Sequence, residues 1–348
     1  MKILHIIAGA KEGGAESCAA DTIKALNKLG IEQKIICRPH NAFVKLAQDQ
    51  DIKYYSLSFS TGLKLIQKRK INSIIRKEKP DIIHCWMNRA ASFTPKQSEI
   101  PVLGWFGGYY DLKYYKSCNY FMGVSKDIVR HIRENIEEPE RAYVGHVFGT
   151  LDKIGDVKKS DFSIPENSKV ILMLSRMHWK KGVDLLIDAA AQIEDAVFLL
   201  AGDGPEITNY KAQVKSLNLE NRVLFLGWQK DRLALLNIAD VCVLPSRYEP
   251  FGIVITEAWF SGVPLVATKA DGAKNYVTDS HDGLLVEIDD LAGLVKALNL
   301  ALKNDELRQK LIKNGKITYE KNFSRDNVIA TLLKSYKQMI AHYRSQEQ

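Results

Sequence analysis

Two glutamates, Glu249 and Glu257, lie in the segment 249–257, which reads EPFGIVITE. The apolar run before this segment predicts a strand, and Gly252 is expected to open a helix. A helix N-terminus presents unpaired N–H groups and the positive end of a dipole, which favours a bound diphosphate. Two carboxylates beside it can accept hydrogen bonds from sugar hydroxyls. Either glutamate alone is also compatible with a solvated helix start, and the strand–loop–helix context favours ligand binding.

Two basic residues follow another apolar run. Arg176 and Lys181 come after the run 170–175 and stand before Gly182. Arginine binds phosphate oxygens in a bidentate way, and lysine binds them as a point charge. The pair therefore suits a diphosphate, although charged loops also occur in proteins that bind no phosphate.

Glycines follow two further apolar runs. Gly202 comes directly after the run 196–201. Gly13 and Gly14 follow the first apolar run of the chain. Glycine lets a backbone approach a ligand closely, and an ordinary turn between a strand and a helix explains it equally well.

The apolar runs that carry these residues alternate with longer amphipathic segments, which is typical of βαβ units and a parallel sheet. The pattern occurs twice, and a polar, aperiodic stretch at 150–165 separates the halves. The sequence therefore predicts an α/β protein with two Rossmann-like, doubly wound domains that face a central cleft. In such sheets, ligands bind beyond the carboxyl ends of the strands.

The length of 348 residues exceeds what one hydrophobic core usually supports. We predict an N-terminal domain at 1–155, a C-terminal domain at 156–323, and a final helix at 324–348 that packs back toward the N-terminal domain. The predicted strands are 3–8, 33–37, 81–85, 102–106 and 120–124 in the first domain, and 170–175, 196–201, 223–226, 241–245 and 265–268 in the second.

Composition excludes several other classes of protein. The apolar and charged fractions, 46% and 26%, are ordinary for a soluble enzyme, and no apolar run spans a bilayer. Five cysteines without a CxxC pair favour a reducing cytoplasm over a disulfide framework. The spacings of a metal site, a GxxxxGK[ST] phosphate loop and a complete GxGxxG motif after the first strand are missing, so we expect no metal and no cofactor.

The positive charge is concentrated in the N-terminal half. Residues 1–150 hold 23 basic and 15 acidic side chains, whereas 151–348 hold 26 of each. The segment 64–77 is the densest part, and it alternates basic and apolar residues at helical spacing. It is expected to lie on an anionic membrane surface, or else to be a solvated helix with its apolar face toward the core. Nucleic acid is not expected as a partner, because no binding motif accompanies the charge.

The ordered motifs SRMHWKKGVDLLI, LLAGDGPE, VLFLGW, ADVCVLPSRYEPFGIVITEAWFSGVPLVAT and GLLV, with GGAE near the start, resemble the retaining glycosyltransferase family 4. The likeness covers residues 165–290 most specifically. It is strongest to bacterial enzymes that build lipopolysaccharide and other envelope glycans. The resemblance implies the GT-B fold, a nucleoside diphosphate sugar as donor and no metal requirement.

The resemblance also implies roles for single residues. Arg176 and Lys181 match the basic pair that neutralises the leaving diphosphate. Glu249 matches the first glutamate of the E-x7-E motif, beside the donor sugar, and Glu257 matches the second, on the nucleotide ribose. The other donor-binding positions that it implies are Gly13, Gly14, Gly202, Gly227, Trp228, Phe251, Gly252 and Ile253.

The chain departs from the family pattern at two places. Members usually carry a histidine shortly after the strand that corresponds to 102–106, and this chain has none between there and Asp111. His84 is a candidate to replace it, with a place in the core as the alternative. His146 lies where the family has an asparagine-containing turn. Asp111, His84 and His146 are therefore candidate acceptor or auxiliary residues.

These features predict a cytoplasmic hexosyltransferase, peripheral on the inner face of the membrane, which uses a glycan or lipid-linked glycan acceptor with retention at the anomeric carbon. A sugar-nucleotide epimerase or phosphorylase with the GT-B fold is one alternative. The other is a homologue that binds nucleotide sugar without turnover, which the missing histidine motivates.

Overall fold

The computed structural model describes residues 1–9, 14–39, 42–148 and 155–346. The chain divides into two compact units. The first unit comprises Met1–Phe148 and Arg325–Gln348, and the second comprises Gly149–Ser324. The division falls a few residues before the predicted boundary at 155, and the C-terminal segment belongs to the first unit.

In the described part of the first unit, seven parallel strands form one sheet in the order β3-β2-β1-β4-β5-β6-β7. The strands are β1 (Lys2–Ile7), β2 (Glu32–Cys37), β3 (Lys53–Ser56), β4 (Ile82–Trp86), β5 (Val102–Phe106), β6 (Tyr120–Gly123) and β7 (Ala142–Val144). The α-helices between them are α1 (Gly14–Lys28), α2 (Ala42–Asp49), α3 (Lys64–Glu78), α4 (Met87–Phe93) and α5 (Lys126–Arg133).

In the described part of the second unit, six parallel strands form a sheet in the order β10-β9-β8-β11-β12-β13. The strands are β8 (Lys169–Leu174), β9 (Ala196–Ala201), β10 (Val223–Gly227), β11 (Val241–Leu244), β12 (Leu265–Thr268) and β13 (Leu284–Val286). Its α-helices are α6 (Val183–Ala191), α7 (Ile207–Ser216), α8 (Arg232–Asn237), α9 (Ile253–Ser261), α10 (Asp271–Tyr276), α11 (Leu291–Lys303) and α12 (Asp305–Asn322), and α13 (Arg325–Gln346) then returns to the first unit.

All ten predicted strands are confirmed, and none of their ends shifts by more than one residue. The three strands that the sequence did not reveal, β3, β7 and β13, each lie at an edge of a sheet and have three or four residues. Of these edge strands, β3 begins with lysine and ends with serine, and β7 and β13 have only three residues, so none carries an apolar run long enough to be distinctive. No helix in the described part of the chain is long and apolar enough to cross a membrane.

The order of the strands locates a crevice in the second unit. The chain builds β8, β9 and β10 in one direction and then continues with β11 on the other side of β8. Connections that leave neighbouring strands in opposite directions open a gap at their carboxyl ends, where α/β proteins bind ligands. In this unit the gap lies between the ends of β8 and β11.

The helix α13 is bound to the first sheet by polar contacts. Tyr336 Oη lies 2.6 Å from Nδ1 of His84 on β4, and His342 Nδ1 lies 2.7 Å from Tyr120 Oη on β6. Arg344 also donates a 2.8 Å hydrogen bond to Asp81. The C-terminal helix is thus an integral part of the first unit.

A buried histidine extends this polar core. His5 Nδ1 accepts a hydrogen bond from Trp86 Nε1 at 3.2 Å, and His5 Nε2 lies 3.0 Å from Gln33 Oε1. Complete burial lowers the pKa of His5 to about 4, although the contact with Gln33 opposes that shift. Burial also lowers the pKa of His84, and the nearby His5 lowers it further. Both imidazoles are therefore neutral in the folded protein at pH 7.

We predict that acid destabilises the protein through His5. The pKa of His5 is about 4 in the folded chain and about 6.5 in an unfolded one. The contribution of the neutral ring is complete above pH 6.5 and is lost as the pH falls toward 4, by about 2 kcal/mol at pH 5. Urea unfolding at pH 7 and pH 5 should show a smaller pH dependence in His5→Gln than in the wild type, because glutamine does not titrate. An equal pH dependence in both proteins would contradict this assignment.

Candidate functional site

Lys181 and Glu249 meet at the crevice of the second unit. Lys181 follows β8 and Glu249 follows β11, the two strands on either side of the gap. Lys181 Nζ lies 2.6 Å from Glu249 Oε2, and both side chains are mostly buried. The two residues that the sequence assigned to the diphosphate and to the donor sugar are therefore direct partners.

The turn that carries Lys181 is held close to the end of β11. Residues Trp179–Lys181 form one 3-10 turn, and the His178 ring accepts a hydrogen bond from Lys180 N at its start. Gly182 follows with φ +66°, and a Cβ at this position would lie 2.0 Å from the carbonyl oxygen of Pro245. Only glycine permits both this conformation and this approach, so Gly182 sets the separation at which Lys181 reaches Glu249.

Arg176 stands exposed at the end of β8, and no ion pair involves it among the described residues. Its neighbour Met177 is anchored in both directions, because its N–H donates to Asp203 O and its carbonyl accepts from Glu206 N. Arg176 therefore extends from a fixed backbone, with its charge available to a ligand.

Gly202 and Gly227 join the carboxyl ends of two further strands. Gly202 N donates to Gly227 O at 2.7 Å. A Cβ on Gly202 would lie 1.8 Å from Ser175 O. The packing of β9 against β8 therefore requires glycine here, whether or not a ligand also approaches this residue. Trp228, the residue after β10, exposes 69% of its surface. These predicted donor positions share the same edge of the sheet as Lys181.

The helix after Glu249 begins as predicted. Gly252 precedes α9, which runs from Ile253 to Ser261 and ends at Gly262. Phe251 turns its ring into the core against Tyr276. The backbone of 251–253, rather than the phenyl ring, is thus the part of this segment that a ligand can meet.

Glu257 lies inside α9, in contact with the first residue of α8. Its carboxylate is fully buried, and Oε1 lies 2.6 Å from Arg232 Nη1. Arg232 begins α8 and retains 35% exposure. The solvent-facing partner of this pair is the arginine, which the sequence did not single out.

The candidate residues of the first unit lie on different elements. His84 is completely buried and its ring stacks on Trp86 with centroids 4.3 Å apart, so its place is the core, one of the two alternatives that the sequence left open. Asp111 is exposed, accepts a hydrogen bond from Lys113 N and pairs with Lys113 Nζ at 2.7 Å, as the cap of a short 3-10 helix.

The remaining candidates of the first unit lie in loops or at a helix start. His146 is half-buried after β7. Gly14 is the first residue of α1, and Gly13 lies outside the described residues. Within the described chain, no group of three or more histidine, cysteine or acidic side chains is placed to hold a metal ion.

Arg247 is the main residue of this site that sequence reasoning missed. Its guanidinium binds Asp184 in a bidentate way at 2.8 and 2.7 Å, and its Nε donates to Asp289 at 2.7 Å. Nη1 also donates to the carbonyl of Trp179, and the backbone N–H of Arg247 donates to the carbonyl of Lys180. One side chain therefore ties together three loops at the carboxyl edge of the sheet.

These contacts have clear electrostatic effects. The hydrogen bonds that Arg247 donates to Asp184 raise the pKa of Arg247 above its ordinary value. Partial burial, the largest single effect on Asp184, would raise its pKa. The hydrogen bonds from Arg247, the charge of Arg247 and the backbone N–H donors of 184 and 185 together outweigh it and hold that pKa below its usual range. The carboxylate and the guanidinium thus stay charged together. The only signal in the sequence is an arginine between a predicted strand end and Glu249.

Comparison with known proteins identifies the family. Residues 156–318 match the model of the group 1 glycosyl transferases, and residues 12–145 match that of glycosyltransferase family 4. The chain belongs to glycosyltransferase family 4. The resemblance seen in the sequence motifs is thereby confirmed, and the second unit with its Lys181–Glu249 pair corresponds to the group 1 domain.

Relatives match this glycosyltransferase over nearly its whole length. The lipopolysaccharide core biosynthesis glycosyltransferase LpsE of Rhizobium meliloti is 28% identical over 98% of this chain and 99% of its own. The crystal structure of Anabaena HepE with UDP and glucose aligns with a TM-score of 0.82 and 21% identity, over 97% of this chain and 100% of that one. The lipopolysaccharide outer core galactosyltransferase WaaB aligns with a TM-score of 0.75 and 18% identity, over 97% and 99%. The GT-B class of fold is confirmed.

We predict that Arg247→Met destabilises the second unit of the glycosyltransferase. The change leaves Asp184 without its bidentate partner, and we expect the free energy of unfolding to fall by about 2 kcal/mol, with the more exposed Asp289 adding little. Urea unfolding measures the change. Lys269→Ala is the matched control, because it removes one cation of the exposed pair with Glu287 in the same unit. Equal free energies of unfolding for the two variants would show that the contacts of Arg247 do not stabilise the second unit.

Proposed function

We propose that this glycosyltransferase moves a hexose-type sugar from a nucleoside diphosphate sugar to a glycan or lipid-linked glycan acceptor of the bacterial cell envelope. Retention at the anomeric carbon and independence of metal ions are part of the proposal. The names of LpsE and LpsD of Rhizobium meliloti, both lipopolysaccharide core biosynthesis glycosyltransferases, support the envelope role. HepE structures with UDP and with UDP-glucose support the donor class.

The observation that carries this proposal is the contact of Lys181 with Glu249 at the crevice between β8 and β11. An ammonium group has three N–H donors. One directed at Glu249 leaves two for oxygens of a diphosphate, and Glu249 keeps a second oxygen for a sugar hydroxyl. The ion pair therefore fixes the position of the Lys181 ammonium group and leaves two of its N–H donors available to the diphosphate.

The chemical problem in sugar transfer is the negative charge that develops on the departing diphosphate. The bond from the anomeric carbon to the phosphate oxygen breaks, a bond to the acceptor oxygen forms on the same face, and a phosphate oxygen takes the acceptor proton. Lys181 and the exposed Arg176 supply fixed positive charge where this anion develops. We infer that these two cations do what a metal ion does in other transferases, and that no side chain acts as base.

We predict that Lys181→Ala lowers kcat by about 10²–10³-fold, the usual effect of removing one preorganised donor from a developing anion. The assay measures release of nucleoside diphosphate from UDP-, GDP- and ADP-sugars, after a thermal-shift screen has identified the donor that binds. Lys180→Ala is the control, because the Lys180 side chain lies over the Tyr248 ring and not on Glu249.

Three results would count against the proposal. Turnover in Lys181→Ala comparable to that of the wild type would show that the lysine does not stabilise the departing diphosphate. Loss of activity after addition of a metal chelator would show that the reaction requires a metal ion. An inverted anomeric centre in the product, seen by NMR, would remove retention.

The acceptor side of the proposal rests on α3. Three large apolar side chains at its start are exposed: Leu63 by 50%, Leu65 by 77% and Ile66 by 51%. Basic residues surround them at positions 64, 68, 69 and 70. Apolar side chains flanked by lysine and arginine are typical of a helix that lies in the interface of an anionic membrane.

Gln67 explains why these apolar residues face outward. Its side chain is buried and binds the preceding loop, where Oε1 accepts from Phe59 N at 2.6 Å and Nε2 donates to Ser58 Oγ at 3.1 Å. The first turn of α3 therefore directs an amide inward and leaves Leu65 and Ile66 to solvent. Ile71 and Ile75 fill the core further along the helix. We propose that this end of α3 binds the inner face of the cytoplasmic membrane, where a lipid-linked acceptor is presented.

We predict that Leu65→Ser/Ile66→Ser abolishes flotation of the protein with vesicles that contain anionic lipid. Lys68→Gln/Arg69→Gln/Lys70→Gln should weaken it roughly 100-fold, at about 1 kcal/mol for each cation. Leu217→Ser, which changes an exposed leucine of the second unit, is the control. Unchanged flotation in both test variants would exclude α3 as the membrane contact.

A further inference from the structure

Two arginines of the first unit lie at the carboxyl edge of its sheet. Arg38 is the first residue after β2, and Arg89 lies in α4, which directly follows β4. The strands β2 and β4 flank β1, where Ile6 is opposite both Ile36 and Cys85. The register therefore puts Arg38 and the start of α4 at the same level. Two strand spacings amount to about 10 Å, a distance that two arginine side chains can span together.

Neither arginine is neutralised within the described part of the chain, where no ion pair involves either side chain. Arg38 is half-buried, and its Nε is enclosed and donates to no acceptor there. Burial lowers the pKa of Arg38, and the charge of Arg89 lowers it further. The two guanidinium groups are therefore close enough to repel each other, and no carboxylate pairs with them.

Gly9 follows β1, the strand between the two arginines. A Cβ on Gly9 would lie 2.0 Å from Oε1 of Glu16 and 2.9 Å from Cε of Met87. The glycine thus lets Glu16 approach the backbone here, and in the described chain this glutamate forms no ion pair with Arg38 or Arg89. The acidic group at this edge does not take the place of a partner for the arginines.

This arrangement costs the folded protein free energy, because an enclosed N–H donor lacks an acceptor and two like charges repel. A bound oxyanion removes both penalties. It accepts a hydrogen bond from Arg38 Nε and attracts both guanidinium groups. The planar fork of arginine matches the oxygens of a phosphate or a carboxylate, which each group can bind in a bidentate way.

We propose that Arg38 and Arg89 bind an acidic group of the acceptor, a phosphate or carboxylate carried by a sugar, and that this glycosyltransferase therefore takes an acidic glycan as its substrate. This inference rests on the proposed function, in which the donor diphosphate belongs to Lys181 and Arg176 of the second unit. An anion held by the first unit is then a group of the acceptor.

Small acidic sugars test the proposal before the natural acceptor is known. Calorimetry measures the affinity of the full-length protein for glucose 6-phosphate, glucuronate and glucose, which differ in their charged group. The wild type should bind at least one of the two acidic sugars and bind glucose far more weakly. Arg38→Met and Arg89→Met should each weaken binding of the acidic sugar about 10- to 100-fold, the usual effect of losing hydrogen bonds between charged groups.

Arg76→Met is the matched control. It removes an exposed arginine from the last turn of α3, which precedes β4 and therefore lies at the amino edge of the same sheet. The control has the same change in net charge as each test variant, and it should bind the acidic sugars as the wild type does. A loss in the control equal to that in the test variants would reduce the effect to net charge and overturn the proposal.

Thermal unfolding separates a binding role from a structural one. Because the arginines repel each other and Arg38 Nε has no acceptor, Arg89→Met should unfold at a temperature no lower than the wild type. The acidic sugar should raise the unfolding temperature of the wild type but not that of Arg38→Met/Arg89→Met. Lower unfolding temperatures in both single variants, with unchanged sugar binding, would make the arginines structural.

Two other sources of the oxyanion have their own measurements. If Arg38→Met/Arg89→Met loses flotation with anionic vesicles, as expected of Leu65→Ser/Ile66→Ser, the anion is a lipid headgroup and the acidic sugar is wrong. If the double variant binds UDP, GDP and ADP more weakly, the anion is the diphosphate of the donor, and the proposal is again wrong.

The remaining outcomes distinguish this inference from the proposed function. A wild-type protein that binds neither acidic sugar would overturn the inference and leave the donor class in place. A wild-type protein that binds none of the three nucleotides, but binds an acidic sugar through Arg38 and Arg89, would overturn the donor class and leave the anion site in place.

Discussion

The carboxyl edge of the second sheet depends on the guanidinium of Arg247. Parallel strands end together, but the loops that leave them diverge, and nothing in a sheet itself fixes one loop against the next. Arg247 supplies that constraint, because its donors reach Asp184, Asp289 and the carbonyl of Trp179 at once. The planar fork allows these contacts in one rigid arrangement. The separation of Lys181 from Glu249 follows from it and from the close approach at Gly182.

Much of the fold could be predicted from the sequence, because buried parallel strands read as apolar runs and all ten predicted strands exist. The position of Gly252 before α9 followed from the same local rules. Pairing across the sheet could not be predicted in this way. A lysine and a glutamate are expected in a site that binds a diphosphate and a sugar, and they are equally expected in an ordinary ion pair. Only the fold shows that Lys181 and Glu249 are in contact with each other.

Local sequence patterns also could not predict how deeply individual side chains are buried. Glu257 lies on the predicted helix, but whether its carboxylate faces solvent depends on α8, an element built from a different part of the chain. His84 raises the same difficulty, because its ring is enclosed by Trp86 and by Tyr336 of the last helix. Arg247 gave almost no local signal, since an isolated arginine in a loop resembles any solvated one. Its partners lie 63 and 42 positions away.

The place of α13 in the first unit has a consequence for how the chain is made. Residues 1–148 emerge from the ribosome first, yet the unit that they form also contains Tyr336, His342 and Arg344 of α13. The second unit is contained in one continuous stretch and can close as soon as it emerges, whereas the first must wait for the last helix. Until then β4 and β6 expose the surfaces that α13 will cover. The first unit therefore begins to be synthesised before the second but completes its fold after it.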